Sequence, residues 1–123
     1  MRAMKTIFMA LLLTCSVRGF ATDGNRLSEI CSVAEKQEFQ PDELRKLAAC
    51  TNYIDGVLDT QMMWQSLTEN ERQHKKSICA EGIDTIQGAK IVAKYLRDNP
   101  DKLHWNAATL VVNAIHLAFP CRQ

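Results

Sequence analysis

The chain has 123 residues, of which 46% are hydrophobic and 24% are charged, with five cysteines and a formal charge of +1. Such a length fits a single domain. The nearly balanced charge and the lack of a basic stripe exclude a nucleic-acid binder that works through bulk electrostatics. The apolar fraction is too high for a disordered chain, and no apolar run reaches the roughly 18 residues that span a bilayer.

The first 21 residues have the pattern of a secretory signal peptide. Arg2 and Lys5 form a basic start, and a short, almost wholly apolar stretch follows at residues 6–15. Small residues then stand at the minus-three and minus-one positions of a cleavage site at Ala21. We therefore expect export. The alternatives are a buried N-terminal helix and a lipid anchor at Cys15, which follows only a weak lipobox.

Removal of this leader leaves a domain of residues 22–123 with 12 basic and 14 acidic residues, a formal charge of −2. The domain keeps an even number of cysteines, at Cys31, Cys50, Cys79 and Cys121. Because exported chains reach an oxidising compartment, we expect two disulfides. Zinc sites need closely paired ligands, and these cysteines are widely spaced, so the pattern argues against a metal.

The apolar periodicity is helical almost throughout, which predicts an all-α bundle of four to five helices. The helices are expected at residues 25–36, from 40 to about 67, from 84 to 99 and at 106–118. Their predicted apolar faces are Leu27, Ile30, Cys31 and Ala34; Leu44, Leu47, Cys50, Ile54, Val57, Leu58 and Met62; Ile86, Ala89, Val92, Ala93 and Leu96; and Leu110, Val111, Ala114, Ile115 and Ala118.

Signals at the helix ends agree with this reading. Pro41 suits a first helical turn, Asp84 with Gln87 resembles a capping box, and Pro100 marks an end. If the first two helices form an antiparallel hairpin, Cys31 and Cys50 lie about equally far from its turn. The same reasoning brings Cys79 close to Cys121. Among the three possible connectivities we therefore favour 31–50 and 79–121.

Two carboxylates deserve consideration as a catalytic pair, because Asp55 and Asp59 stand at i and i+4 on one helical face. They would serve as an acid/base pair or as ligands for a hard metal ion. A solvated or locally hydrogen-bonded face is the favoured interpretation. Gly56, between them, would instead mark a close helix crossing.

The three histidines, His74, His104 and His116, form no spaced ligand motif, and His116 has the apolar neighbours of a structural histidine. Disulfides account for all four cysteines of the domain, and no nucleophile or phosphate-loop motif occurs. The sequence therefore predicts a protein that is not an enzyme and that needs no cofactor.

A polar stretch before Cys79 is the candidate recognition surface. Its effector-contacting residues are expected to be Glu69, Asn70, Glu71, Arg72, His74, Lys75 and Lys76. The Cys79 bridge would hold the base of this loop and lower the entropy lost on binding. An ordinary solvated loop or an extra helical turn is the alternative. Just before it, Met62, Met63 and Trp64 suit either an interface, including that of a homodimer, or the core.

Several segments together resemble the Rap/Tai family of type VI secretion immunity proteins. Residues 50–59 fit its C-x-x-Y-I-x-G-x-x-D segment, and residues 79–87 resemble its cysteine, glycine and glutamine block. Residues 92–104 are similar to its YLxxHPExxH stretch, with Asn99 in place of the usual histidine, and residues 107–121 match its terminal helix and AFPC ending. The resemblance covers about residues 31–121.

This resemblance implies a periplasmic, helical and often dimeric protein that binds and inhibits a peptidoglycan amidase effector. We expect no nucleic-acid partner, and no membrane association once the leader is removed. The alternative function is a small periplasmic chaperone of the acid-stress type. A cryptic enzyme that uses Asp55 and Asp59 is a third hypothesis.

Overall fold

The computed structural model describes residues 22–68 and 78–121 and shows four α-helices in that part of the chain. They are α1 (Gly24–Cys31), α2 (Pro41–Thr68), α3 (Thr85–Asp98) and α4 (Ala107–Ala118). Two short 3-10 segments, Ser32–Glu35 and Pro100–Lys102, follow α1 and α3. The predicted all-α fold is confirmed. None of the described helices combines the length and the apolar character that crossing a membrane requires.

The first helix is shorter than the periodicity indicated. A continuous α-helix to Lys36 was expected, and this is wrong, because the chain tightens into a 3-10 turn after α1. The Lys36 amide donates to the carbonyl oxygen of Val33 at 3.1 Å, an i to i−3 bond that belongs to 3-10 geometry. Val33 and Ala34, both in this 3-10 turn, are buried.

Apolar side chains from all four helices form one core. Its largest members with less than 2% of their surface exposed are Leu27, Ile54, Leu96, Leu110, Ile115, Val92, Val111, Cys31 and Cys50. Three further predicted core residues, Ile30, Val57 and Leu58, are half-buried and pack against it. In the described part of the chain, every buried side-chain nitrogen or oxygen has a hydrogen-bond partner.

Four residues predicted to be buried are exposed instead. Leu44 and Met62 on α2 are 51% and 46% exposed, Ile86 on α3 is 38% exposed, and Ala118 ends α4 at the surface. The 28 residues of α2 span about 42 Å, whereas α1, α3 and α4 have only 8, 14 and 12 residues. Both ends of α2 therefore extend past the neighbours that would cover them.

Side chains cap three of the helices. The Asp23 carboxylate accepts from the Arg26 amide at the start of α1, and the Asn106 side chain accepts from two amides of α4. At α3, the Asp84 carboxylate accepts from the amides of Ile86 and Gln87 at 3.1 and 3.2 Å. The predicted cap at Asp84 is confirmed.

Replacing Asp84 with alanine is expected to lower the free energy of unfolding by about 1 kcal/mol, because two amides of the first turn of α3 lose their acceptor. Urea denaturation followed by circular dichroism measures this change. Asp101→Ala is the matched control, since Asp101 is exposed in a 3-10 segment whose cap makes no side-chain hydrogen bond. Equal effects of the two substitutions would show that the cap adds nothing.

The close helix contact lies at a different glycine from the one expected. A Cβ atom on Gly56 would have no neighbour within 4 Å, so the predicted crossing there is wrong. A Cβ on Gly24 would lie 2.4 Å from Cδ1 of Leu110 and 2.7 Å from the carbonyl oxygen of Leu103. The Gly24 amide also donates to the Trp105 carbonyl at 3.0 Å. Gly24 therefore lets the start of α1 sit directly against the segment that leads into α4.

Both predicted disulfides are present. Cys31 is bonded to Cys50, with their Cα atoms 5.0 Å apart, and joins α1 to α2. Cys79 is bonded to Cys121, with a Cα separation of 5.1 Å, and joins the segment before α3 to the segment after α4. The hairpin argument therefore gave the correct connectivity.

Candidate functional site

The C-terminal part of α2 carries a group of exposed apolar side chains. Met62, Met63, Trp64 and Leu67 are 46%, 56%, 61% and 64% exposed, and we call these four residues the α2 tip. Neighbouring exposed apolar side chains of this size mark surfaces that bind other proteins. The sequence left open whether Met62, Met63 and Trp64 belong to the core or to an interface. The structure places them at the surface.

The predicted recognition residues, Glu69, Asn70, Glu71, Arg72, His74, Lys75 and Lys76, lie outside the described residues. The structure describes what flanks them on each side. The α2 tip comes before them, and Ile78, only 6% exposed, comes after. Ile78 lines a small cavity of about 50 Å³ together with Leu58 and Met62. Both flanks of the predicted segment are therefore anchored on the same half of α2.

A groove of about 620 Å³ runs between α2 and α4. Its lining contains no Asp, Glu, Lys or Arg and consists of Asn52, Tyr53, Gly56, Val57, Thr60, Gln61, Ala108, Thr109, Val112 and Asn113. Burial raises the pKa of Tyr53 above its usual value, and a hydrogen bond with the backbone of Ala108 opposes this more weakly. Tyr53 therefore stays neutral at physiological pH, and the groove is an uncharged surface with an apolar floor.

Sequence reasoning did not find this groove, although a signal was present. The 12 residues of α4 include no Asp, Glu, Lys or Arg, yet Thr109, His116 and Leu117 are exposed. An exposed helix face without charge is typical of the centre of an interface, where charged residues are depleted. Gly56 contributes to the space because it has no side chain to fill it.

The two carboxylates considered for catalysis line a second groove, of about 320 Å³, between α2 and the start of α3. Asp55 and Asp59 share this groove with Glu81 and Asp84, and its floor includes Ile54. Asp84 already accepts two amide hydrogen bonds as the cap of α3. Within residues 22–68 and 78–121, no three His, Cys, Asp or Glu side chains are placed to hold a metal ion. The arrangement fits a solvated polar rim.

The double variant Asp55→Asn/Asp59→Asn tests the enzymatic interpretation. We expect its stability to stay within about 0.5 kcal/mol of the wild type, because both substitutions keep the shape of a side chain that is not in the core. The immunity function that the family resemblance implies predicts that the variant protects cells as well as the wild type. Denaturation curves and a protection assay measure the two properties. A folded variant that no longer protects would support a chemical role for these carboxylates.

In the described part of the chain, the histidines do not lie together in one site. His104 is exposed and contacts the Trp105 ring edge to face, with the ring centroids 6.3 Å apart. His116 lies on the exposed side of α4, so it is a surface residue and not a buried structural histidine. His74 lies outside the described residues.

A family model of Rap1a immunity proteins matches residues 23–121, a stretch that includes all four helices and both disulfides. No curated protein and no solved structure matches the chain. The chain belongs to the Rap1a immunity protein family. This confirms the resemblance seen in the sequence. A Rap1a protein is a binding protein for a cognate toxin effector and not an enzyme, so the exposed surfaces of the bundle, rather than a catalytic cluster, carry its function.

Proposed function

We propose that the chain is a periplasmic immunity protein that binds a peptidoglycan amidase effector of the type VI secretion system and inhibits it. In this way it protects the producing bacterium from its own toxin and from that of its siblings. The family match over residues 23–121 is the observation that carries the proposal. Two disulfides suit an oxidising compartment, and the signal-peptide pattern of residues 1–21 supplies the route to it.

The inhibitory contacts are proposed to come from residues 69–76 together with the α2 tip. The tip is next to this segment in the chain, and it offers the large apolar side chains that dominate binding energy at protein interfaces. The charged and amide side chains of residues 69–76 would then form the polar contacts around it. Such a surface can cover an active-site cleft without any chemistry of its own.

The apolar part of this surface is tested with two leucines on the same helix. Leu67, in the tip, is 64% exposed, and Leu44, at the other end of α2, is 51% exposed. We expect Leu67→Ala to weaken, at least tenfold, the binding of a type VI peptidoglycan amidase effector that the wild type binds, while Leu44→Ala leaves binding unchanged. Isothermal titration calorimetry measures both affinities. Equal affinities for the two variants would remove the tip from the interface.

The polar part is tested by exchanging residues 69–76 for a Gly/Ser linker of equal length. The expected result is a loss of binding of at least a hundredfold, with the helical circular dichroism spectrum unchanged. A variant with Arg26 and Glu29 of α1 both replaced by alanine serves as the control for loss of exposed charge, because these two side chains form a surface ion pair. If the linker variant binds as tightly as the wild type, the segment makes no essential contact.

A homodimer is proposed as the form that presents this surface, with the α2–α4 groove as the contact. In a twofold contact the side chains at the axis lie near their own copies, so a charged side chain there would be repelled by its symmetry mate. The lining of the α2–α4 groove has no Asp, Glu, Lys or Arg side chain. Gly56→Arg would place a cation in it, and light scattering should then show a monomer where the wild type is a dimer. A wild type that stays monomeric at 100 μM would contradict the dimer.

The acid-stress chaperone remains as the second candidate, because the exposed α2 tip would also suit client binding. Hydrogen bonds from Lys36 and Lys94 lower the pKa values of Glu43 and Asp98. A lowered carboxyl pKa stabilises the folded state above the unfolded pKa, and the effect is lost as the pH falls through the folded pKa.

Both of these ion pairs lie at the surface, where solvent screens them, so we expect the core to stay covered in acid. The prediction is that binding of the dye ANS rises less than twofold between pH 7 and pH 3. A large rise in ANS fluorescence, together with suppression of client aggregation at pH 3, would favour the chaperone.

A further inference from the structure

The two disulfides differ sharply in their exposure. Cys31 and Cys50 each have 0% of their surface exposed and belong to the core. Cys79 is exposed, and Cys121 is only half-buried. A thiolate must reach one of the sulfur atoms to exchange with a disulfide, so accessible bridges react while buried ones are protected. The fold therefore separates a structural bridge from a chemically accessible one.

The segments joined by the accessible bridge have independent anchors in the bundle. On one side Ile78, 6% exposed, packs into the core. On the other side Phe119 packs partly against the core, and its amide donates to the Ile115 carbonyl at 2.8 Å. Because these anchors do not involve the sulfur atoms, opening the bridge would release the ends at Cys79 and Cys121 without removing a core side chain.

We propose that the Cys79–Cys121 bridge is a redox latch, which a dithiol reductant opens while the Cys31–Cys50 bridge stays closed and the bundle stays folded. A thiolate of the reductant attacks the sulfur of Cys79, and the S–S bond breaks with its electron pair on Cys121, which takes up a proton. The second thiol of the reductant then displaces Cys79 as a thiolate. The protein gains two thiols and the reductant becomes a disulfide.

The latch regulates binding by the α2 tip, and this part of the inference rests on the proposed function. The intact disulfide joins Cys79, the residue after the anchor Ile78, to Cys121 in the segment that follows α4. Opening it removes one of the restraints beside the α2 tip, which shares a cavity with Ile78 through Met62. The reduced protein then has more conformational freedom beside its binding surface. Because this freedom is lost when the effector binds, the affinity for the effector falls.

Selective reduction is measured on the mature wild-type protein purified from the periplasm. The protein is incubated with dithiothreitol at 25 °C, free thiols are alkylated at intervals, and the labelled peptides are quantified by mass spectrometry. We expect Cys79 and Cys121 to be labelled at least ten times faster than Cys31 and Cys50, with the helical circular dichroism signal unchanged. Equal labelling rates, or loss of helix as the bridge opens, would overturn the proposal.

The regulatory effect is measured with the double variant Cys79→Ser/Cys121→Ser, which mimics the open latch. We expect it to bind the amidase at least tenfold more weakly than the wild type does. An unchanged affinity would overturn the regulatory role. If the wild type does not bind the amidase at all, the proposed function fails, whereas selective reduction of the accessible bridge is still judged by the labelling rates.

Discussion

Gly24→Ala is expected to lower the free energy of unfolding by about 2–3 kcal/mol, within the range for an overfilled core. The added methyl group would meet Cδ1 of Leu110 at 2.4 Å, the carbonyl oxygen of Leu103 at 2.7 Å and its Cα at 2.8 Å. A leucine side chain can rotate away, but the backbone of Leu103 can yield only if the start of α1 moves. Thermal and urea denaturation measure the loss.

The matched control is the same substitution at Gly56, for which the opposite sign is expected. No atom lies within 4 Å of the position that its Cβ would occupy, and Gly56 is inside α2. Alanine in a helix interior is favoured over glycine by about 0.5–1 kcal/mol, so Gly56→Ala should stabilise the monomeric fold. If both variants are equally stable, the close contact at Gly24 does not exist as described.

Leu110→Ala is expected to cost about 3 kcal/mol of stability, through the lost burial of the side chain and the cavity that remains. Leu110 is 0% exposed and lies where α4 contacts the start of α1. Leu117→Ala, on the same helix, is the control, because Leu117 is 69% exposed. Its effect should stay within about 0.5 kcal/mol. Similar losses for the two leucines would show that the assigned inward face of α4 is wrong.

Local rules predicted the parts of the fold that depend on neighbours in sequence. The cap at Asp84, the helix start at Pro41 and the end before Pro100 all follow from backbone hydrogen bonding and proline geometry. The disulfide pairing was also predictable, because a hairpin of known turn position places Cys31 beside Cys50.

Apart from the early end of α1, the errors concern distances between helices, which the apolar periodicity of a sequence does not contain. An apolar stripe shows which side of α2 faces inward, but not where its neighbours end, so Leu44 and Met62 were expected to be buried and are exposed. For the same reason the close approach was assigned to Gly56 and not to Gly24. The α2–α4 groove was missed because it depends on how far two helices stand apart. The apolar periodicity of a sequence shows which face of a helix is buried, whereas the space between two helices depends on how they pack.

The site was less predictable than the fold. The motifs that carry the family resemblance include core and disulfide residues such as Ile54 and Cys79. They therefore predict the fold but not the binding surface. Specificity for one partner is a difference of affinities that a few exposed side chains can set, so the residues that define the scaffold do not predict it. The sequence left Met62, Met63 and Trp64 open between the core and an interface, and their exposure in the structure places them at the surface.

Protection of living cells tests the central proposal most directly. A type VI peptidoglycan amidase effector that the chain binds is directed to the periplasm, together with either the full chain or residues 22–123 without the leader, and lysis is followed by culture density. We predict that the full chain prevents lysis and that the leaderless chain, kept in the cytoplasm, does not. Lysis at an undiminished rate, with the full chain present in the periplasm and both of its disulfides formed, would contradict the account.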